Sequence, residues 1–233
     1  MAQVNLVVLG GSRAFGTAFE DCDYDYYGLF TFSAREFTSL YPSRESYQFF
    51  PSENVDCSFH ELGKFCRLAL NGNPTIIDTL FAPLVIYQDA VGKRLREIRD
   101  AFLSTRVLSA YVGYATNQLE RYRRGSRLHS KGGSLNPKFM SHAVRLLYGG
   151  LHLARTGEFL VQLPDEGREL VLSTRDMPPE EAISQVEVML NCLLWAKDHS
   201  DLPKSPTTEA VQQMVFQARL GAMVDTNSSG VLH

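Results

Sequence analysis

The sequence is short of several things, and each shortage excludes something. One tryptophan and four cysteines stand among its 233 residues. The cysteines, Cys22, Cys57, Cys66 and Cys192, form no C-x-x-C pair, so neither a zinc knuckle nor a disulfide framework is indicated. No apolar run approaches the ~18 residues of a membrane span, and Met1-Ala2-Gln3 does not open a signal peptide. The chain therefore reads as soluble and cytoplasmic, with no membrane partner. A surplus of positive charge is also missing: 23 Lys and Arg face 26 Asp and Glu, for a net charge of −3. That excludes a generally basic nucleic-acid coat, although not a local basic patch. No internal repeat or low-complexity tract is seen. What is present is 44% hydrophobic and 21% charged residues, the balance of a globular chain long enough to bury a full core without staples.

The first apolar run, Val4 to Leu9, is ended by Gly10-Gly11 and reads as a buried strand. A turn and short helix over Ser12 to Phe19 lead to a second strand, Cys22 to Phe32, dense in Tyr and Phe. Residues 46–50 and 54–59 read as a hairpin separated by Pro51-Ser52-Glu53. From His60 the period changes: Leu62, Phe65, Cys66, Ala69 and Leu70 fall at helical spacing, stopped by Asn71-Gly72-Asn73-Pro74. A short helix over Thr75 to Leu80 is followed by helices near 89–103, 106–122, 137–156, 179–198 and 206–220, with a short strand at Leu160 to Leu163. The expected fold class is α/β (α+β): a strand-rich core over 1–85, a helical region over 86–222 that completes a cleft, and a polar, flexible tail over 223–233.

The chemistry is concentrated in Gly10-Gly11-Ser12-Arg13-Ala14-Phe15-Gly16 and the nearby Asp23-Tyr24-Asp25. On a strand, Asp23 and Asp25 project to one side. Carboxylates so close repel each other unless a cation lies between them, and Mg²⁺ prefers such oxygen ligands. The glycines allow a tight turn, and Ser12 would present its hydroxyl and N–H where phosphate oxygens bind well. Two-metal phosphoryl chemistry wants a third carboxylate. Asp56, inside the apolar-flanked run Val55 to Phe59, supplies it if its strand lies beside the second one. Each piece alone has an ordinary reading: a turn, a solvated strand edge, a hydrogen-bonded acid. Their conjunction, in this order, points to a nucleotide site.

Gly11-Ser12, Asp23-x-Asp25 and a later strand acid resemble the nucleotidyltransferase superfamily that includes DNA polymerase β. The longer string, through Asp25-Tyr26-Tyr27-Gly28-Leu29-Phe30, is similar to a bacterial and phage branch of that superfamily, some of whose members are associated with RNA ligases. Leu62 to Pro83, Tyr114-x-x-x-Gln118, Lys138-x-x-x-His142-x-x-Arg145 and Arg155-Thr156-Gly157-Glu158 match too, so the resemblance spans roughly residues 5–170. It implies a polymerase-beta-like fold with a mixed sheet, and metal-dependent transfer of a nucleoside monophosphate from an NTP, ATP favoured, to a hydroxyl, releasing pyrophosphate. By the same resemblance Asp23, Asp25 and Asp56 are the catalytic metal ligands for two Mg²⁺ ions, with Mn²⁺ an alternative. Asp56 also helps to deprotonate the acceptor. Gly11 and Ser12 hold the triphosphate, and Arg13 touches a phosphate. Tyr27, Cys22 and Phe139 depart from the residues common in relatives, which bears on acceptor choice.

Lys138, His142 and Arg145 share one helix face: either a cationic wall gripping phosphates, the reading the resemblance favours, or a solvated face. From Arg121 to Lys138 there are six Lys or Arg and no acid, a segment able to track an RNA backbone or simply to be solvated. Tyr114 and Gln118 reach a base or pack. His60 and His152 read as structural histidines in helical contexts, and Trp195 with Leu190, Leu193 and Leu194 reads as core. RNA is the leading acceptor, with an RNA-ligase pathway partner. The alternatives are AMP transfer to a protein hydroxyl, of antitoxin type, and a non-catalytic nucleotide sensor.

Overall fold

The computed structural model describes residues 2–41, 43–129 and 136–228. Strand β1 (Gln3–Leu9) runs into the short helix α1 (Gly11–Phe15). Strand β2 (Tyr24–Thr31) begins two residues later than expected, because the Cys22 carbonyl accepts from the Arg13 guanidinium at 2.7 Å instead of joining a ladder. The single-turn α2 (Ala34–Phe37) is closed by a reciprocal Ser33–Glu36 capping box. Strands β3 (Ser46–Ser52) and β4 (Val55–Glu61) form the expected hairpin, but its turn is Glu53-Asn54. Pro51 stays in β3, an edge strand whose register skips between Phe49 and Ser52, so the missing N–H breaks no ladder.

Helix α3 (Leu62–Leu70) is capped by the Glu61 carboxylate, which accepts from the Gly63 and Lys64 amides, and buries Leu62, Phe65, Cys66 and Ala69. Asn73 caps α4 (Pro74–Phe81), with Pro74 in its first turn. A strand that the sequence reading missed, β5 (Val85–Gln88), pairs with β1. The sheet order is β3-β4-β2-β1-β5, and its one parallel pair is β2–β4, which sets Asp25 opposite Asp56.

The helix expected over 89–103 is split into α5 (Ala90–Glu97) and a 3-10 turn at Arg99–Phe102. Then come α6 (Thr105–His129), α7 (Lys138–Thr156), α8 (Asp165–Ser173), α9 (Pro179–Asp198) and α10 (Thr208–Ser228). Helices α6, α7 and α9 pack on one another. No strand forms at 160–163; the segment instead buries Val161 and Leu163 and ties to α1 through Leu163 N–H donating to Phe15 O at 3.1 Å. Helix α10 continues past 220 to Ser228, so part of the segment expected as a tail is helical, and 229–233 lie outside the described residues. His60 lies on β4, with Nδ1 2.7 Å from Ser46 Oγ, rather than on a helix. Trp195 is not core. The buried side of α9 is Ala182, Val186, Leu190, Leu193 and Ala196, which turns Trp195 outward at 66% exposure.

One core cluster runs from Leu6, Val8 and Leu29 of the sheet through α3 and α4 to Leu146, Leu147 and Leu193. The other face of the sheet has its own small cluster: Phe30 and Cys57 are buried but stand outside that core. No helix among the described residues is long and apolar enough to cross a membrane.

Candidate active site

The glycine turn is fixed by backbone. Gly10 N–H donates to Asp25 O at 2.8 Å, which sets the end of β1 against the start of β2. Gly11 has φ +59°, and a Cβ there would lie 1.8 Å from Asp25 Oδ2. The Asp25 carboxylate therefore packs on the glycine itself, and only glycine fits both the torsion and the space. Asp23 sits just before β2 and, with Asp25, Gly10, Gly11 and Ser12, lines one side of a cleft of about 650 Å³.

Asp56 stands one strand away in register with Asp25, as the sequence reading required. It does not line the cleft. Both of its carboxylate oxygens accept from Gln48 Nε2, at 3.3 and 3.1 Å. Burial pushes the Asp25 carboxyl above the usual carboxylate range, and the negative charges of Asp56 and Asp23 push it further. Among the described residues none of the three acids is in an ion pair. Nor do any three His, Cys, Asp or Glu side chains converge closely enough to hold a metal ion. The donor set still fits a hard cation in kind: all-carboxylate oxygen, two members facing the cleft, with no protein cation to neutralise it.

The cationic residues of the cleft come from α7 and from the turn after α8, where Arg175 lies 5.5 Å over Phe19 of the loop that leads to Asp23. Lys138, His142 and Arg145 all line the cleft, as their helical spacing predicts, but they differ in state. Lys138 is in no ion pair among the described residues. His142 is held neutral: burial, then the nearby Arg145 charge, lower its pKa to about 3. Arg145 is buried in an ion pair with Asp78 of α4 at 3.1 Å, and its guanidinium lies 3.8 Å over the Phe15 ring. Arg13 is turned away from the cleft. It donates to Cys22 O and lies 3.8 Å over Tyr24, so it holds the loop that carries Asp23.

Several residues of the site had escaped the sequence reading. Asp78 is buried within a mostly apolar helix, and burial raises its pKa against the pull of Arg145. An acid amid Ile76, Ile77 and Leu80 was the signal for it. Arg175 adds a second cleft cation that is in no ion pair among the described residues. Tyr27 lines the floor with its hydroxyl pKa raised, by burial and then by the Asp25, Asp56 and Asp78 charges. The Tyr114–Gln118 pair separates: Gln118 lines the cleft, whereas the Tyr114 hydroxyl accepts from Asn73 Nδ2 at 2.9 Å. In the basic segment, Arg123 is engaged by Glu120 and Glu187, and Arg121 lies 5.0 Å over Phe139. Lys131 and the Arg127 side chain lie outside the described residues.

A mixed sheet that seats strand acids on a glycine turn, closed by a helical wall, is the architecture of polymerase-beta-like nucleotidyltransferases. The chain belongs to the RNA repair pathway DNA polymerase beta family, whose model matches residues 2–216. It is similar to an "Uncharacterized 38.9 kDa protein in nrdC-mobD intergenic region" of Enterobacteria phage T4, 30% identical over 135 residues, 51% of this chain and 38% of that protein. It is also similar to "Uncharacterized protein YcgL" of Bacillus subtilis (strain 168), 27% identical over 126 residues, 53% of this chain and 48% of that one. The matches thus span less than half the length of these relatives. A nucleotidyltransferase-like protein from Exiguobacterium sibiricum 255-15 aligns at 14% identity with a TM-score of 0.32, covering 93% of this chain and 73% of that one.

Proposed function

We propose that this protein transfers a nucleoside monophosphate from an NTP, with ATP the favoured donor, to a hydroxyl and releases pyrophosphate. The observation that carries the reading is the contact of Asp25 with Gly11. It sets an uncompensated carboxylate against the turn that would hold the triphosphate, with Asp23 beside it and Asp56 in register. Charge in the cleft is of both signs to match, with Asp23 and Asp25 lining it together with the cations Lys138 and Arg175.

In this reading the backbone of Gly10-Gly11-Ser12 and the Ser12 hydroxyl bind phosphate oxygens, and Lys138 and Arg175 grip the leaving pyrophosphate. Asp23 and Asp25, with Asp56 completing the set, are the residues that would hold Mg²⁺ or Mn²⁺, which when bound supplies charge neutralisation and Lewis acidity at the transferred phosphoryl group. Asp56, once released from Gln48, would also draw the acceptor's proton. Arg145 acts as a positioning residue, joining α7 to α4 and, through Phe15, to the glycine-turn helix. Neutral His142 is suited to donate or accept a hydrogen bond at neutral pH without adding charge. RNA is the acceptor favoured by the family's description, and a partner in the same pathway follows from it.

The test is incubation with each α-³²P-labelled NTP and Mg²⁺, with RNA or cell protein added and Asp23→Asn and Asp25→Asn as controls. Label in RNA that both variants lose is the expected result; label in protein moves the acceptor to a side-chain hydroxyl. A second reading, a nucleotide sensor, draws on Asp56 standing off the cleft behind Gln48. NTP binding with no label in any acceptor would favour it.

A further inference from the structure

The two faces of the sheet are used unequally. Leu6, Val8 and Leu29 lie fully buried under the helices. The opposite face presents rings from β3 to β5. Tyr24 and Tyr26 of β2 are stacked 6.5 Å apart, and Phe49 of β3 is stacked on Phe59 of β4 at 5.9 Å. Tyr47 lies in register with Phe59, and Tyr87 continues the face on β5. Four of these rings are open to solvent: Tyr24 at 41%, Tyr47 at 45%, Phe49 at 48% and Tyr87 at 47%.

At roughly 150–250 Å² for a whole aromatic side chain, these four together offer about 270–450 Å², a third to a half of the ~800 Å² that each partner brings to a standard stable interface. The strand residues that share this side between the β2 positions Tyr24 and Gly28 include no Lys, Arg, Asp or Glu, and Glu61, in register with Phe30, is buried and paired with Arg219. Base stacking on such rings would need cations alongside for the phosphates. The face has Arg13 at one corner, 3.8 Å over Tyr24. Away from that corner the face carries no charge and is instead complementary to itself: in a chain of net charge −3, it is where two copies can meet without opposing like charges.

We propose that a second copy of this chain docks on the aromatic face. The two sheets pack face to face about a two-fold axis, ~10 Å apart, with rings interdigitated. Sedimentation equilibrium on the full chain should show a dimer at micromolar concentration. Phe49→Asp and Tyr47→Asp should each weaken association by about 30-fold or more. Both side chains are half exposed on an edge strand, so the thermal midpoint should hold. Trp195→Ala, on the exposed side of α9, should leave association unchanged. As a check that needs no variant, amide exchange of residues 46–52 in the native chain should slow as concentration rises. A monomer at every concentration would overturn the proposal, and so would a dimer indifferent to Phe49→Asp. Binding of a single-stranded oligonucleotide to a monomer, lost in Phe49→Asp, would overturn it too and assign the rings to nucleic acid.

Discussion

Two sets of charge lie at the same cleft, Asp56 alone standing one strand behind it, and they are treated in opposite ways. Asp78 and Arg145 are buried and neutralise each other at 3.1 Å, with the guanidinium further covered by Phe15. Asp23, Asp25 and Asp56 are gathered around one strand pair with no ion-pair partner among the described residues, and the Asp25 pKa is raised, first by burial and then by the Asp56 and Asp23 charges. The paired set joins α4, α7 and α1, and its worth is cohesion. The unpaired set raises the free energy of the folded chain until something positive arrives, which is what the proposed metal site requires.

The sharpest way to break this comparison is Asp25→Asn. It should lower nucleotidyl transfer by at least about 10³-fold, the several kcal/mol that phosphoryl-charge stabilisation supplies. Stability should stay level or rise by up to about 1 kcal/mol as repulsion is relieved, read by label transfer and urea unfolding on the same sample. Asp78→Asn or Arg145→Met should do the converse. Stripping a buried charge of its partner should destabilise the chain by about 3–5 kcal/mol, and the double variant should recover much of that loss.

A smaller effect separates the walls by pH. The His142 pKa is about 3 in the folded chain, whereas an unfolded histidine titrates near ~6.5. The unfolded state therefore takes up the proton first. The stability tied to neutral His142 is complete above about pH 6.5 and is lost as pH falls toward 3. The unfolding free energy read by urea should drop by about 1–2 kcal/mol between about pH 6.5 and 5, and His142→Gln should flatten that limb. The smallest effect belongs to the surface. Arg123→Gln, which breaks exposed pairs with Glu120 and Glu187, should change stability by less than ~1 kcal/mol. It should also leave any salt dependence of RNA binding unmoved, in contrast to Lys138→Gln.

Much of this was legible in the sequence where the signal was local. The run Val4–Leu9 closed by glycines, the hairpin acids and the helical spacing from Leu62 to Leu70 each state their structure within a few residues. So did the helix face of Lys138, His142 and Arg145, which the structure does bring to one cleft. What failed depended on distant partners. Val85–Gln88 is a four-residue edge strand with little pattern of its own, defined by β1 alone. Helix α8 was hidden by the strand-like Leu160 to Leu163, which packs through single contacts to α1 instead. Trp195 was misplaced because apolar neighbours were read as one face, whereas the helix turns them to different sides. Spacing could not tell that Arg145 already has a partner in Asp78, or that Gln48 occupies Asp56.

The most direct test of the central claim is calorimetric titration of a non-hydrolysable ATP analogue into the native chain and Asp25→Asn, each with and without Mg²⁺. The account predicts binding by the native chain that strengthens with Mg²⁺ and loses that gain in Asp25→Asn. Binding that ignores both the metal and the substitution would contradict it, and would place the nucleotide somewhere other than the acids at the glycine turn.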